Sequence, residues 1–165
     1  MALLRVVNAS PLILLGKIRQ LAFLHEGGRE VIVPTAVFEE VEDPNRPGDL
    51  PGWNPSGRPI GRVDNVPVPP EVLRFALDPG ESMVLAVALA RQAVGDDVEV
   101  VLDEKKGRNA ARSLDLPLVG TAGLLLRAKS DGRIASVAPW LDELEQQGMH
   151  LDQNLRRSIL ILAEE

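Results

Sequence analysis

The chain has no cysteine, no tyrosine and no long uninterrupted apolar run. The absence of cysteine excludes disulfides, thiolate metal sites and cysteine nucleophiles. Aromatic residues make up only 3% of the chain, so the core must be built from leucine, valine, isoleucine and alanine. No stretch approaches the ~18 apolar residues of a membrane span. Net positive charge is also missing, since the formal charge is −6, and any contact with nucleic acid must use a local basic patch.

The length of 165 residues allows one domain with a real core and is too short for two ordinary ones. Arg5 and the break at residues 8–11 interrupt the apolar N-terminal run, and no small-residue cleavage site follows it. A secretory signal is therefore not predicted, and we expect a cytoplasmic protein. The two histidines, His25 and His150, lie in no recognisable ligand spacing, and we expect each to be an exposed or capping residue.

Strands and helices are predicted to alternate along the chain. The predicted strands are Leu3–Val7, Glu30–Val33, Ile60–Val66, Val98–Leu102 and Pro117–Val119. Predicted helices begin near Ser10, Thr35, Pro79, Lys105 and Thr121, and two more follow Ser136 around a turn at Gly148. Such alternation indicates a parallel sheet that is covered on both faces. The sequence therefore predicts an α/β fold, a three-layer α/β/α sandwich with a parallel sheet of about four to five strands.

The first helix is expected to be long. Ser10 has the character of an N-cap and Pro11 that of a first helical residue. Apolar residues recur at helical spacing as far as His25, and Gly27 and Gly28 provide a stop signal. The pattern predicts one continuous helix from Ser10 to about His25.

Residues 43–62 differ from the rest, because nine of these twenty are proline or glycine. We expect a long and partly mobile surface loop there. Trp53 lies in this loop with Arg46, Arg58 and Arg62 nearby, and an aromatic ring with guanidinium groups suits base stacking on single-stranded RNA. The alternatives are that Trp53 pins the loop to the domain or contacts a protein partner.

Residues 1–135 form the predicted α/β domain, and residues 136–165 form a helical extension of the same domain. The last helix ends in the apolar run Ile159–Leu162, which is too apolar for a freely exposed tail. It either closes the core or forms the interface of a homodimer.

Polar side chains are predicted to meet at one edge of the sheet. Asn8 ends the first strand and Asp103 ends the strand Val98–Leu102, and parallel sheets place ligands at the carboxyl ends of their strands. Helices that run back from this edge would bring Glu40 and Glu81 beside the strand ends. Mg²⁺ or Mn²⁺ would remove the repulsion among converging carboxylates. Two such ions can activate a water and stabilise the leaving oxygen of a phosphodiester.

Each of these residues also has a simpler local explanation. Asp78 and Glu81 fit a capping box, with Asp78 as the N-cap. Asp103 fits the N-cap of the helix that follows it. Glu40 fits a solvated helix face, and Asn8 fits a turn residue that closes a strand. Spacing alone does not decide between a metal site and these readings.

Four segments occur in an informative order: Asn8-Ala9-Ser10-Pro11-Leu12-Ile13, Val33-Pro34-Thr35-Ala36-Val37-Phe38-Glu39-Glu40-Val41, Gly80-Glu81-Ser82-Met83-Val84-Leu85-Ala86-Val87-Ala88 and Leu102-Asp103-Glu104-Lys105-Lys106-Gly107-Arg108. The segment Gly120-Thr121-Ala122-Gly123-Leu124-Leu125 follows them. Together they resemble the PIN-domain superfamily, and most closely a poorly characterised prokaryotic branch, related to VapC-type toxins, with Asn in place of the first Asp. The resemblance covers roughly residues 3–135.

The resemblance implies a metal-dependent ribonuclease that uses Mg²⁺ or Mn²⁺. By position, it implies catalytic roles for Glu40, Glu81 and Asp103. It implies that Asn8 joins these three as metal ligands, and that Glu104 adds an outer carboxylate.

Further roles follow from the same resemblance and from position. Ser10 matches a hydroxyl that supports the first ligand and its loop, and Thr121 is the second supporting hydroxyl. The basic residues after Asp103 are placed to hold the phosphates that flank the scissile bond; they are Lys105, Lys106, Arg108 and Arg112. The alternative for these cations is a solvated helix face.

The amide at Asn8 has definite consequences. An amide oxygen can still coordinate Mg²⁺, but it contributes no negative charge. We therefore expect weaker metal binding and slow or conditional cleavage. The sequence favours an RNA endonuclease, which could act as the toxin of a toxin–antitoxin pair with a small antitoxin-like protein as partner. The alternative is a catalytically weak or inactive PIN-like module that binds nucleic acid or protein.

Overall fold

The computed structural model describes residues 1–42 and 60–165. Five strands form one sheet: β1 Leu3–Val7, β2 Glu30–Pro34, β3 Ile60–Val63, β4 Asp97–Val101 and β5 Leu118–Val119. Their order is β3-β2-β1-β4-β5, and every neighbouring pair is parallel. The helices are α1 Ala9–Lys17, α2 Thr35–Val41, α3 Pro70–Leu73, α4 Pro79–Ala93, α5 Lys105–Ser113, α6 Thr121–Ser130, α7 Ala138–Gln146 and α8 Gln153–Leu162. The predicted α/β/α fold is confirmed.

Helices cover the sheet on both faces. On one face α4 lies against β1, β2 and β4, and α2 packs against α4. On the other face a 3-10 helical segment, Leu21–Gly28, contacts β1 and β2 and packs against α6. Valine and leucine side chains from both faces of the strands fill the core, as expected for a parallel sheet that is buried on both sides.

The first helix differs from its prediction. It begins two residues earlier than predicted, with Asn8 rather than Ser10 as the N-cap, and ends at Lys17. Arg19 then adopts a left-handed backbone with a φ of 58°, which a continuing α-helix does not permit. A separate 3-10 segment, Leu21–Gly28, follows. The prediction of one continuous helix to His25 is therefore wrong.

The two histidines have different environments. His25 is buried, with 4% of its surface exposed, and its Nδ1 lies 3.1 Å from the carbonyl oxygen of Arg29. The prediction of an exposed or capping His25 is therefore wrong. His150 is exposed, as predicted.

Part of the predicted surface loop falls outside the described residues. This applies to residues 43–59, and with them to Trp53, Arg46 and Arg58. After this stretch, β3 is the edge strand beside β2. The short helix α3 was not predicted.

Four charged side chains form a hydrogen-bonded network between the sheet and α6; they are Arg5, Glu26, Glu99 and Arg127. Arg5 on β1 donates to Glu99 on β4 at 2.9 and 2.6 Å, and Arg127 on α6 makes two hydrogen bonds of 2.9 Å to the same carboxylate. Glu26 accepts from Arg5 at 3.2 Å. Arg5 is only 1% exposed, so its charge is balanced by these partners rather than by water.

The two C-terminal helices continue the layer that contains α6. On α8, Ile159 is buried while Ile161 and Leu162 are 66% and 72% exposed, so the helix closes the core with one face only. Arg156 on α8 pairs with Asp142 at 2.6 Å and also with Glu145, both on α7. Among the described helices, none combines the length and apolar character needed to cross a lipid bilayer.

Candidate active site

The strand order reverses between β1 and β4, which are neighbours at the centre of the sheet. Open parallel sheets bind ligands at such a switch point, beyond the carboxyl ends of the strands. Asn8 follows β1, and its backbone N–H donates to Val101 at the end of β4 with a distance of 3.2 Å. Asp103 lies two residues beyond β4. The fold therefore brings Asn8 and Asp103 to the same edge, as predicted.

Gly80, at the start of α4, lies between Glu40 and Asn8. A Cβ atom placed on Gly80 would be 2.8 Å from Oε2 of Glu40 and 3.5 Å from Oδ1 of Asn8. Any larger residue at position 80 would push into the Glu40 carboxylate. The absence of a side chain at Gly80 thus lets α2 and α4 bring their acids next to the end of β1.

Glu81 is the most deeply buried acid of the group, with 3% of its surface exposed. Asp78 caps α4 by accepting a hydrogen bond of 2.8 Å from the backbone N–H of Glu81, so the predicted N-cap is confirmed. The Glu81 carboxylate then lies against Gly107 on α5, where an added Cβ would be 3.4 Å from Oε2. Capping and burial are therefore compatible: Asp78 satisfies the helix end, and the Glu81 side chain points into the site.

The pKa of Glu81 is raised from 4.5 to about 7. Burial is the largest cause, followed by the negative charges of Asp78 and Glu104 and a hydrogen bond with Glu104, with Glu40 adding a smaller repulsion. Glu104 therefore lies next to Glu81, as expected for an additional carboxylate. A carboxyl group that resists ionisation among other acids is typical of a site that a cation would complete.

Asp103 does not cap the helix that follows it, which was the local alternative to a role as metal ligand. Its Oδ1 and Oδ2 accept hydrogen bonds of 2.7 Å from the backbone N–H and the hydroxyl of Thr121. It therefore binds the first residue of α6, whose N-cap is Gly120, while the N-cap of α5 is Glu104. Burial raises the pKa of Asp103, and the hydrogen bonds from Thr121 and the charge of Arg108 only partly offset it.

Arg108 supports the same corner of the site. Its guanidinium donates to the carbonyl oxygen of Leu102 at 2.9 Å. A Cβ on Gly120 would be 2.8 Å from this guanidinium and 3.0 Å from Oδ1 of Asp103, so Gly120 leaves the space in which both groups sit. Burial lowers the pKa of Arg108. Arg108, predicted to contact RNA, is thus engaged with the strand end.

The other predicted RNA-binding cations are exposed. Lys105 and Lys106 begin α5, and Lys106 donates to the carbonyl oxygen of Ala76 at 2.9 Å. Arg112 donates to the Asn109 side chain, one turn earlier on the same helix, at 3.1 Å. These side chains form a basic strip along α5 that starts beside the acids.

The acids do not by themselves form a complete metal cage. Within residues 1–42 and 60–165, no group of three or more histidines and acids is arranged to hold an ion as it stands. The donor chemistry nevertheless fits Mg²⁺ or Mn²⁺, which prefer oxygen ligands. Oδ1 of Asn8 and Oε1 of Glu81 are buried and have no hydrogen-bond partner in the described part of the chain. Buried oxygens rarely lack a partner, and a cation would satisfy both.

The glycines were not predicted as parts of the site. Gly80 and Gly107 each approach an acid from a neighbouring helix, and the only sequence signal was their position beside those acids in the motifs. For Gly120, the only sequence signal was its position directly before Thr121 in the last motif. Thr121 was predicted as a supporting hydroxyl, but its pairing with Asp103 was not, because the two hydrogen bonds between them span 18 positions and have no local signal.

Comparison with known proteins is consistent with this geometry. No curated protein matches the chain. The family model DUF3368, described as a PIN domain, matches residues 4–165, which include both the sheet and the C-terminal helices. The chain therefore belongs to this family of PIN domains.

Proposed function

We propose that this protein is a Mg²⁺- or Mn²⁺-dependent endoribonuclease of the VapC-like type. A PIN domain is a nuclease-type fold that typically acts on RNA. One observation carries the proposal: Asn8 and Glu81 each bury an oxygen without a partner at the sheet edge where Glu40 and Asp103 also lie. An arrangement of this kind costs folding free energy unless a cation uses it.

Glu40, Glu81 and Asp103 would hold the metal with their carboxylates, and Asn8 would supply a neutral oxygen. A divalent ion bound there supplies Lewis-acid chemistry for hydrolysis of a phosphodiester. Glu104 lies close enough to Glu81 to raise its pKa and would serve as the outer carboxylate. Thr121 would keep the Asp103 carboxylate in a fixed orientation.

The basic strip along α5 would hold the RNA backbone. The chain carries a net charge of −6, so binding depends on local cations next to the acids rather than on an overall field. Lys105, Lys106 and Arg112 are exposed on this helix. Their role would be to neutralise phosphates on either side of the bond that is cut.

The cellular role we propose is that of a cytoplasmic toxin with a small antitoxin-like partner. The family resemblance to VapC-type toxins supports this role. Residues 136–165 would act as an extension of the same domain, which is supported by the contact of α8 with α6. Co-purification with the product of an adjacent small gene, and relief of growth arrest by that gene, would test the pairing.

A second candidate is a PIN-like module that binds RNA or protein without efficient catalysis. Two observations favour it. Asn8 provides no charge, and both oxygens of Asp103 already accept hydrogen bonds from Thr121. Fewer anionic donors would weaken the binding of a second ion in particular.

Metal binding and RNA cleavage separate the two candidates. We expect Mn²⁺ to raise the melting temperature of the wild-type protein and to support cleavage of an RNA pool. Glu81→Gln and Asp103→Asn should lose most of both effects. Glu30→Gln is the matched control, because Glu30 is exposed at the start of β2, at the opposite end of the sheet. Metal binding without cleavage favours the binding module, and no response to Mn²⁺ rejects the metal site.

A further inference from the structure

A cavity of about 640 Å³ extends from the acids to the segment that joins α7 and α8. Its polar end is lined by Ser10, Glu40, Asp103, Glu104 and Lys105. Its apolar end is lined by Ile13, Leu14, Met149, Leu151 and Leu155. The volume lies within the range of about 300–1,000 Å³ for small-molecule sites, so there is room for a nucleotide.

The segment between α7 and α8, together with Leu155 on α8, provides one wall of the apolar end. Met149, Leu151 and Leu155 also line a second cavity of about 310 Å³ on the side of β5 and α6. The three side chains therefore have open space on two sides. Gly148, with a φ of 104°, makes the turn that precedes Met149.

This wall is held in place from outside the cavity. Asp152 caps α8 by accepting a hydrogen bond of 2.7 Å from the backbone N–H of Leu155. Arg156 ties α8 to α7 through its ion pairs, and Ile159 anchors the helix in the core. Leu155 nevertheless remains 48% exposed. An exposed leucine on an anchored helix beside the acids is a surface available for contact with a ligand.

We propose that the apolar end of this cavity binds one unpaired nucleobase of the RNA, adjacent to the phosphate at the acid end. This inference rests on the proposed ribonuclease function. A base is tethered to its phosphate, so an RNA whose phosphodiester reaches Asp103 and Lys105 must place a neighbouring base within a short distance. Met149, Leu151 and Leu155 offer an apolar contact surface in the same cavity.

The composition of the cavity determines how a base would be held. Among the described residues, no phenylalanine or tryptophan lines it, so the base would lie mainly against aliphatic side chains and the thioether of Met149. Sulfur contacts with aromatic rings are favourable. His150 also lines the cavity, next to Met149, and carries ring nitrogens that can hydrogen-bond to a base edge. A base inside a duplex is stacked and paired, so only single-stranded RNA would use this site.

The test combines abasic RNA with protein variants. A single-stranded oligonucleotide with a mapped cleavage bond would be prepared with one abasic position at each side of that bond. With the wild-type protein and Mn²⁺, we expect one of these substitutions to lower kcat/KM by about fivefold or more, the low end of the range for bases stacked on aromatic side chains. A matching loss of affinity should be seen by fluorescence anisotropy with Glu81→Gln, which separates binding from cleavage.

The variants Leu155→Ala and Met149→Ala should reduce this abasic penalty by about threefold or more, because the base and the side chain then act as a coupled pair. Ile161→Ala is the control. Ile161 is exposed on the same helix as Leu155, has the same size and lines neither cavity. Its replacement should therefore leave the abasic penalty unchanged. Thermal unfolding of each variant would verify that it is folded.

Two results would overturn the inference while leaving the proposed function intact. One is cleavage by the wild-type protein with no abasic penalty on either side of the bond. The other is a penalty that stays the same in Leu155→Ala and Met149→Ala, which would assign the cavity to packing or to a protein ligand. Failure of the wild-type protein to bind Mn²⁺ or cut any RNA would reject the proposed function and, with it, this inference.

Discussion

Thr121 holds both oxygens of Asp103, with its backbone N–H on one and its hydroxyl on the other, each at 2.7 Å. The pair joins the segment after β4 to the start of α6, which follows the neighbouring strand β5. Each carboxylate oxygen can accept more than one hydrogen bond or ligand, so this arrangement orients Asp103 without exhausting it. Thr121 itself is completely buried.

Replacing Thr121 by valine removes the hydroxyl and keeps the shape and the backbone donor. Hydrogen bonds to charged groups are worth about 1.5–3 kcal/mol, so we expect the free energy of unfolding to fall by an amount of that order. The hydroxyl also lowers the pKa of Asp103, and without it Mn²⁺ binding should weaken at neutral pH. Thr121→Ser keeps the hydroxyl and should behave much like the wild type. Urea unfolding and Mn²⁺ titration measure both effects, and equal losses in the two variants would contradict this role.

Glu81 gives the metal-free protein a specific pH dependence. Its pKa is about 7 in the folded state against 4.5 for an ordinary glutamate, so the folded state retains a proton that the unfolded chain has released. The corresponding stability is fully present below pH 4.5 and is lost as the pH rises through about 7. Its steepest loss should approach about 1.4 kcal/mol per pH unit.

Thermal melts of the metal-free protein between about pH 4.5 and pH 8 would measure this loss. Glu81→Gln cannot ionise and should flatten the profile. Mn²⁺ should reverse the trend, since it binds deprotonated carboxylates and stabilises the folded state more as the pH rises. A wild-type profile identical to that of Glu81→Gln would show that Glu81 is not the perturbed group.

Arg108 and Arg112 lie on the same helix and should affect different steps. Arg108 bonds to Leu102 beside Asp103, so Arg108→Gln should weaken Mn²⁺ binding and reduce kcat. Arg112 is exposed, so Arg112→Gln should weaken RNA binding with little effect on Mn²⁺ affinity, and should reduce the salt dependence of RNA binding by about one phosphate contact. Manganese titration and RNA anisotropy distinguish the two. If Arg108→Gln changed only RNA affinity, its role would be phosphate contact.

The charged network beneath α6 contributes to stability rather than to the site. Burial alone would raise the pKa of Glu99, but hydrogen bonds from Arg127 and Arg5 lower it overall. Its stabilisation is therefore present above the ordinary glutamate pKa of 4.5 and is lost as the pH falls through the lower folded-state value.

Glu99→Gln would leave Arg5 buried without its main counter-charge, and we expect the free energy of unfolding to fall by about 3–5 kcal/mol. Urea unfolding at neutral pH measures it, with Asp97→Asn, at an exposed position on the same strand, as the control. A loss no larger than that of Asp97→Asn would contradict this estimate.

Local signals in the sequence predicted those features of the site that are set within a single helix or strand. The alternation of strands and helices was sufficient to put Asn8 and Asp103 at one edge, and the Asp78 cap was readable from four residues. Thr121 was predicted to support the site, but its pairing with Asp103 was not, because the two residues follow the neighbouring strands β5 and β4 and lie 18 positions apart. Local spacing therefore suggested that Asp103 caps α5, whereas tertiary structure directs it to α6.

Tertiary contacts also explain the remaining differences. Arg5 interrupts an apolar strand, and its partner Glu99 lies 94 positions away on the strand beside it, so neither residue signals the other locally. The first helix carries helical spacing up to His25. Its end is decided by packing instead, because the 3-10 segment buries Leu21, Phe23 and Leu24.

Asn8→Asp tests whether the missing charge limits this site. Asn8 is 7% exposed and its Oδ1 has no partner in the part of the chain described, so a carboxylate there would be buried close to Glu40. Without metal, we expect the variant to lose about 1–3 kcal/mol of unfolding free energy at pH 8, because the added charge is repelled by its neighbours. With Mn²⁺, the added charge should instead tighten metal binding and speed RNA cleavage by about tenfold, equivalent to about 1.4 kcal/mol.

Asn8→Ala, which removes the oxygen, should bind Mn²⁺ less tightly than the wild type. Melting curves with and without Mn²⁺, together with single-turnover cleavage rates, measure each step. Equal cleavage by the wild type and Asn8→Asp would exclude position 8 from the metal site.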